Sequence, residues 1–319
     1  MVRLLIDHAT VVVSGTKVAS EIGISRSEVW RLIQQLRALG VDIGGHPATG
    51  YSLKSMPDLL LPDLFAPLLQ GTLFSRNIHH FYKIGSTNTA AAEAATSGAP
   101  EGSVFVAEQQ TAGRGRGDNQ WYSARSVGIY CSVVLRPKLP PSDVLVLTLA
   151  AGLAFQSAIQ EIDPGLAIDL KWPNDALIGW KKVCGILTEM NSELTQVRHI
   201  VLGIGINVNQ TEFPADLREI ATSLSIVSGT EYSRLQVCAA FLRALDGEYK
   251  QLLDGGAVAH DSILQRFAER SSSATGARVR VEDKLPFEGV TDGLDDRGFL
   301  RVRAGNEVRT VLSGMVTLK

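Results

Sequence analysis

Between residues 166 and 206 apolar runs follow one another with only short turns between them. Leu166 to Trp172, Ala176 to Ile178, Val183 to Met190 and Val197 to Ile206 each read as a strand. The tight turn Gly179-Trp180-Lys181-Lys182 joins two of them. Phe81 to Ile84, Val104 to Ala107 and Gly128 to Leu135 also read as strands, and Pro140-Pro141-Ser142 opens a long apolar helix to about Ile162. Helical segments are expected at 88–96, 234–253 and 257–270. Strands after helices after strands argue for an α+β sheet, not a regular βαβ alternation.

The ends of the chain read differently. Val18, Ile22 and Ile24 surround a turn at Gly23, and Ser25 with Glu28 forms a capping box. Val29, Leu32, Ile33, Leu36 and Leu39 then keep a helical period that Gly40 ends. Short helix, Gly turn and longer helix make a helix-turn-helix, and residues 41–53, Gly-rich at the tip, read as a two-stranded wing. Residues 276–319 are short β-like runs separated by turns, which suggests a small β-barrel. The expected division is 1–55 winged helix-turn-helix, 56–70 linker (Met56-Pro57, Leu61-Pro62, Ala66-Pro67) with a short helix, 71–272 central mixed α/β domain and 273–319 β-barrel.

Bulk properties exclude several classes. The net charge of −2 over 319 residues rules out a broadly basic surface, so nucleic-acid contact must be local. Cys131, Cys184 and Cys238 are far apart without CxxC spacing, which points to buried reduced thiols in a cytoplasmic protein, not a disulfide framework or zinc site. The apolar stretch 143–155 is too short for a membrane span and fits a buried helix.

The chemistry concentrates in four motifs. Gly113-Arg114-Gly115-Arg116-Gly117, closed by Trp121, is a Gly-rich basic loop. Its glycines allow φ > 0 and close ligand approach, and its guanidiniums suit phosphate or carboxylate. Lys171-Trp172-Pro173-Asn174-Asp175 puts a Lys at a strand end between Leu170 and Trp172, where lower dielectric would let it stabilise charge on an acyl phosphate. Gly203-Ile204-Gly205-Ile206-Asn207 suits close backbone approach to a planar ring, or a bulge. Ser86-Thr87-Asn88 opens a helix whose N-cap hydroxyls and free N–H groups can bind a polar group. No GxxxxGK[ST] or GxSxG occurs.

These motifs, with Gln110, Lys182 and Gly185-Ile186-Leu187, occur in the order seen in biotin protein ligases. With both end modules, the chain resembles the bifunctional bacterial ligase–repressors of the BirA family over essentially its full length. The resemblance implies a class II synthetase-like ligase domain and an SH3-like C-terminal barrel. It implies activation of biotin by Mg-ATP to biotinyl-5′-AMP, then transfer to a lysine of the biotin carboxyl carrier protein of acetyl-CoA carboxylase. Carried over by position, Ser86, Thr87, Asn88, Gln110, Arg114, Gly115, Arg116 and Lys171 contact biotin, and Lys171 with Arg116 are catalytic. Gly113, Arg116, Trp121, Asn174, Lys182, Gly185, Gly203, Gly205 and Asn207 line the adenylate site. No metal ligands are assigned, since Mg2+ arrives on ATP. Biotinyl-5′-AMP would also be the corepressor, driving a homodimer onto operator DNA of biotin synthesis genes. Two alternatives remain: a ligase with a vestigial helix-turn-helix, and a ligand-sensing repressor without catalysis.

Within residues 1–54, Lys and Arg number 6 against 4 Asp and Glu. Ser25, Arg26, Ser27, Trp30 and Arg31 are the candidate DNA contacts, and Arg26 and Arg31 could reach phosphates or guanine edges. One departure from the family stands out. Its loop usually continues with a further Gly-Arg pair, where this chain has Asp118-Asn119.

Overall fold

The computed structural model describes residues 1–8, 11–38, 40–55, 57–193, 196–282, 286–312 and 315–318. Leu39 and Met56, used above for the helix period and the linker, lie outside the described residues. Internal contacts divide the chain into two compact units, Met1–Pro67 and Leu68–Lys319.

The first unit holds α1 (Val2–Asp7), α2 (Gly15–Ile22), α3 (Arg26–Ala38), β1 (Asp42–His46), β2 (Gly50–Ser55) and α4 (Pro62–Phe65). α1 was not expected, because six residues are too few to show a period. The helix-turn-helix forms as expected. Ser14 caps α2, and Gly23 ends it at φ 70°. Ser25 and Glu28 make the capping box, with Ser25 N–H donating to Glu28 Oε2 at 3.0 Å and Glu28 N–H donating to Ser25 Oγ at 3.3 Å. Val18, Val29, Ile33, Ile43 and Tyr51 form its core. The wing is the antiparallel β1–β2 pair. Arg37 fastens it by donating to the Ile43 and Gly45 carbonyls at 2.7 and 2.8 Å.

The second unit runs β3 (Ile78–Phe81), α5 (Thr87–Thr96), β4 (Val104–Ala107), β5 (Gly128–Leu135), α6 (Val144–Ile162), β6 (Asp169–Lys171), β7 (Asp175–Ile178), β8 (Lys181–Ser192) and β9 (Val197–Asn207). α7 (Leu224–Ser228), α8 (Arg234–Asp254) and α9 (Gly256–Glu269) follow. Its 7-stranded sheet has the order β3-β4-β5-β9-β8-β7-β6. Only β3–β4 is parallel among these pairs. β3 lies earlier than the expected Phe81 to Ile84, and Ile84 forms only an isolated bridge to Gln110. α6 is long and apolar enough to cross a membrane by length and composition, but it is mostly buried against α8, α9 and β8.

At the end of β4 lies a charge pair out of water. Glu108 and Arg234 are both 0% exposed and 2.8 Å apart. His80 Nε2 is 3.0 Å from Glu108, the Ser126 hydroxyl donates to the same carboxylate, and Arg234 donates to the Gly128 carbonyl. A buried pair persists only when its remaining polar atoms are served in this way. Here it joins the start of α8 to the segment that leads into β5.

The C-terminal strands β10 (Thr275–Glu282), β11 (Phe287–Leu294), β12 (Leu300–Ala304), β13 (Glu307–Val311) and β14 (Met315–Leu318) form a 5-stranded antiparallel sheet ordered β13-β12-β11-β10-β14. It belongs to the same compact unit as the central sheet. The Trp172 indole N–H donates to the Gly298 carbonyl at 2.8 Å. Gly298 sits at φ 84° close to Leu149, so a side chain there is disfavoured by both backbone and space.

Candidate active site

The pocket lies over the middle of the central sheet. Ser86, Thr87 and Asn88 reach it from the start of α5, and Gln110 from the segment after β4. Arg114, Gly115, Arg116 and Trp121 come from the Gly-Arg loop, Asn174 from the β6–β7 turn, Lys182 and Gly185 from β8, and Gly203 and Gly205 from β9.

Its floor is a chain of oriented amides and hydroxyls. Gln110 Oε1 accepts from Thr87 N–H at 2.8 Å, and its Nε2 donates to Ser123 Oγ at 3.0 Å. The Ser123 hydroxyl donates to the Trp121 carbonyl at 3.1 Å. These partners fix which way the Gln110 amide points. Ser132 Oγ lies 2.6 Å from Asn88 Oδ1 and 2.8 Å from Thr87 Oγ1. An amide oxygen can only accept, so the single Ser132 proton goes to Asn88. The Asn88 amide nitrogen then donates to Glu189 Oε2 at 3.0 Å and toward the Leu187 carbonyl at 3.4 Å.

The Gly-Arg loop folds as a small hairpin. Trp121 N–H donates to the Gly113 carbonyl and Gly115 N–H to the Asn119 carbonyl. Asn119 Nδ2 donates to the Arg116 carbonyl at 2.9 Å, so Asn119 closes the turn. Of the loop glycines only Gly117 has positive φ, at 63°. Gly113 is required by space instead, because a Cβ there would lie 2.5 Å from the Trp121 carbonyl oxygen. Arg114 pairs with Glu189 at 2.7 Å. Arg116 is partly buried, which lowers its pKa, while nearby Asp175 opposes the shift. A guanidinium stays charged through such a change.

Glycines in the floor make room for particular side chains. A Cβ at Gly205 would lie 2.3 Å from the Trp121 indole, and one at Gly203 would lie 1.8 Å from Asn88 Oδ1. The planar ring expected at this motif is therefore, in part, the chain's own Trp121. Lys182 Nζ sits 5.3 Å from the Trp121 ring centre and 2.6 Å from Asp175.

Two expected residues stand outside the lining of this pocket. Lys171 does not line this pocket. It ends β6, the outermost strand of the sheet, flanked by the buried Leu170 and Trp172. Cross-strand register sets Lys171 opposite Asp175 and Asp175 opposite Gly185, so Lys171 shares the sheet face of the pocket from one strand further out. The lysine in the pocket is Lys182. Asn207 is buried and donates to the Thr222 and Lys182 carbonyls, so it fixes the Lys182 strand. It lines an adjoining hollow formed by Asn119, Gln120, Trp121, Tyr122, Lys182, Phe213, Leu217, Ile220 and Ala221. Asn174 clamps β8 by donating to the Ile186 carbonyl at 2.7 Å. The Trp172–Pro173 peptide is cis.

Sequence reasoning missed Ser132, Ser123, Asp175 and Glu189 as partners of the site, and Cys131 and Ile204 as lining. Ser132 carried a readable signal, a hydroxyl inside an otherwise apolar strand. Burial raises the Cys184 thiol well above its usual range, which keeps it a thiol. Among the described residues no group of three or more His, Cys, Asp or Glu could hold a metal.

On α3, Ser25 is engaged in the capping box, and Arg26 donates to the Pro47 carbonyl of the wing at 3.1 Å. Arg26, Ser27 and Trp30 line an open hollow with Gly15, Pro47 and Tyr51. Trp30 is 48% exposed, and Arg31 is exposed.

Residues 80–207 match the biotin/lipoate A/B protein ligase family, and residues 1–52 match an HTH domain. The chain is 34% identical to the bifunctional ligase/repressor BirA of Bacillus subtilis (strain 168), an alignment covering 100% of this chain and 97% of that protein. The chain belongs to the bifunctional ligase/repressor BirA family. Beyond BirA, it is 34% identical to the biotin–[acetyl-CoA-carboxylase] ligase of Mycobacterium tuberculosis, over 73% of this chain and 85% of that one. The biotin protein ligase of Aquifex aeolicus in complex with biotin and ATP superposes with a TM-score of 0.66 at 27% identity, covering 76% of this chain and 99% of that one.

Proposed function

We propose that this BirA-family chain makes biotinyl-5′-AMP in the central pocket and passes biotin to a lysine of the biotin carboxyl carrier protein of acetyl-CoA carboxylase. The observation that carries the reading is the meeting of Arg116 and Lys182 above an oriented polar floor in one pocket. Thr87, Asn88 and Gln110 supply hydrogen-bonding groups for the biotin ring system. Trp121 and Lys182 belong to both the central pocket and the adjoining aromatic hollow, which suits the nucleotide base. The Trp121 indole nitrogen is buried without a hydrogen-bond partner among the described residues, a donor available to a ligand.

In the first step a biotin carboxylate oxygen attacks the α-phosphorus of ATP, and the bond to the bridging oxygen breaks to release pyrophosphate. Negative charge builds on the phosphoryl oxygens, where Lys182 and Arg116 stabilise it. In the second step the carrier lysine amine attacks the acyl carbon. The bond to AMP breaks, the amine proton is lost, and the same cations hold the departing phosphate. Mg2+ would arrive on ATP and supply charge neutralisation of the phosphates, with no protein ligand assigned to it. The donors in the pocket fit anionic oxygens better than a metal cage, since Asp175 and Glu189 are each engaged by a cation.

The winged helix reads operator DNA of biotin synthesis genes, with biotinyl-5′-AMP as corepressor and a homodimer as the binding form. Its support is the exposed Arg31 and Trp30 on α3. The buried free thiols suit a reducing, cytoplasmic setting.

Mixing the protein with biotin and Mg-ATP should release pyrophosphate only when biotin is present, and adding carrier protein should transfer the label. No biotin-dependent pyrophosphate overturns the reading. A gel shift on the upstream region of the biotin synthesis genes, strengthened by biotinyl-5′-AMP, tests the repressor role. No shift in either condition leaves a ligase with a vestigial helix-turn-helix.

A further inference from the structure

Glu189 lies at the mouth of the pocket on β8 and bonds two groups that belong to different parts of it. One is Arg114 of the loop, whose terminal nitrogens lie 2.7 and 3.0 Å from its two oxygens. The other is the buried amide of Asn88 in the floor, 3.0 Å away. Asn88 is held from behind by Ser132, so the chain Ser132–Asn88–Glu189–Arg114 runs without a break from β5 to the loop.

We infer that Glu189 is a positioning residue for biotin activation, holding Arg114 over the pocket by tying it to the floor amide that biotin contacts. This rests on the reading of the pocket as a biotin site. Arg114 is 46% exposed and has a long side chain. Held on a two-pronged carboxylate, it enters binding already ordered, and ligand binding bears less of that ordering cost. The pairing also works in reverse. A carboxylate beside a site for biotin carboxylate and phosphate repels both unless a cation neutralises it. Arg114 supplies that cation and keeps further N–H donors for the ligand.

The two roles give a signed test on the full-length chain. E189A should raise KM for biotin about tenfold while kcat and KM for ATP change little. E189Q keeps an acceptor for Asn88 but loses the charge facing Arg114, and should fall between wild type and E189A. R114M leaves the Glu189 carboxylate unneutralised, so the double variant R114M/E189A should be no worse than R114M alone. Thermal unfolding of each variant, with and without biotin, separates lost folding from lost binding. An E189A whose biotin KM stays within about twofold of wild type, or a double variant whose losses multiply, overturns the inference. If wild type itself forms no biotinyl-5′-AMP, the reading of the site falls and the inference falls with it. Normal wild-type turnover beside an indifferent E189A removes the inference alone.

Discussion

In the sheet pocket Arg114 and Lys182 each rest on a carboxylate, Glu189 at 2.7 Å and Asp175 at 2.6 Å. On α3 of the winged helix, Arg26 reaches a wing carbonyl at 3.1 Å, while Arg31 is exposed. The pocket fixes its cations in advance and surrounds them with oriented amides, as a site for one small anion must. The recognition helix instead presents cations on a segment, residues 1–54, with a local excess of only two positive charges, leaving the DNA to supply the geometry. Chemistry in the first region should therefore fail steeply when one group is removed, and binding in the second should fade gradually and with salt.

The sharpest way to break this contrast is a pair of lysine variants. Lys182→Met should lower biotinyl-5′-AMP formation by about 10³-fold, the scale of losing a charge-stabilising donor. Lys171→Met, opposite Asp175 on the same face, tests the role expected of that lysine and should lower it by at least about tenfold. Pyrophosphate release in single turnover checks both, and a wild-type rate in either variant would remove that lysine from the reaction. Next comes the floor. Gly205→Ala drives a methyl into the Trp121 indole and should cost about 10²-fold in kcat/KM, with the chain still folded by circular dichroism. Smaller effects belong to the winged helix. Arg31→Ala should weaken operator binding about tenfold and lower the salt slope by about one, with biotin transfer unchanged. A loss of ligation would show that the two regions are not separable. Least of all, iodoacetamide at pH 8 should label native Cys131, Cys184 and Cys238 slowly and unfolded protein fully, because all three thiols are buried.

What could be read in advance divides along the same line. The helix-turn-helix was legible because its signals are local: a capping box at Ser25 and Glu28, a period through Val29 and Ile33, and a left-handed Gly23. The loop, the α5 entry and the paired glycines were legible as motifs that gather in one pocket. That Lys171 faces Asp175 and Gly185 from one strand outside the pocket lining was not legible, because it depends on strand order and register. Nothing near Lys171 in sequence says that β6 falls at the edge while β8 lies inside. β3 was misplaced because the strand Ile78–Phe81 carries two histidines and no alternation, while Phe81 to Ile84 holds the more apolar run. Asp175 was invisible as a partner because ion pairs across a sheet follow register, and Glu189 because its partner Arg114 lies 75 residues away on a loop, which no local pattern encodes.

The buried Glu108–Arg234 pair carries a consequence for how this sequence can drift. Removing either member leaves the other charged and dry, at a cost of about 3–5 kcal/mol, a large share of the stability of an ordinary domain. Neither position can wander alone. Descendants of this chain should keep both residues, or exchange both for apolar ones together, so the pair acts as a ratchet on substitution 126 residues apart along the chain.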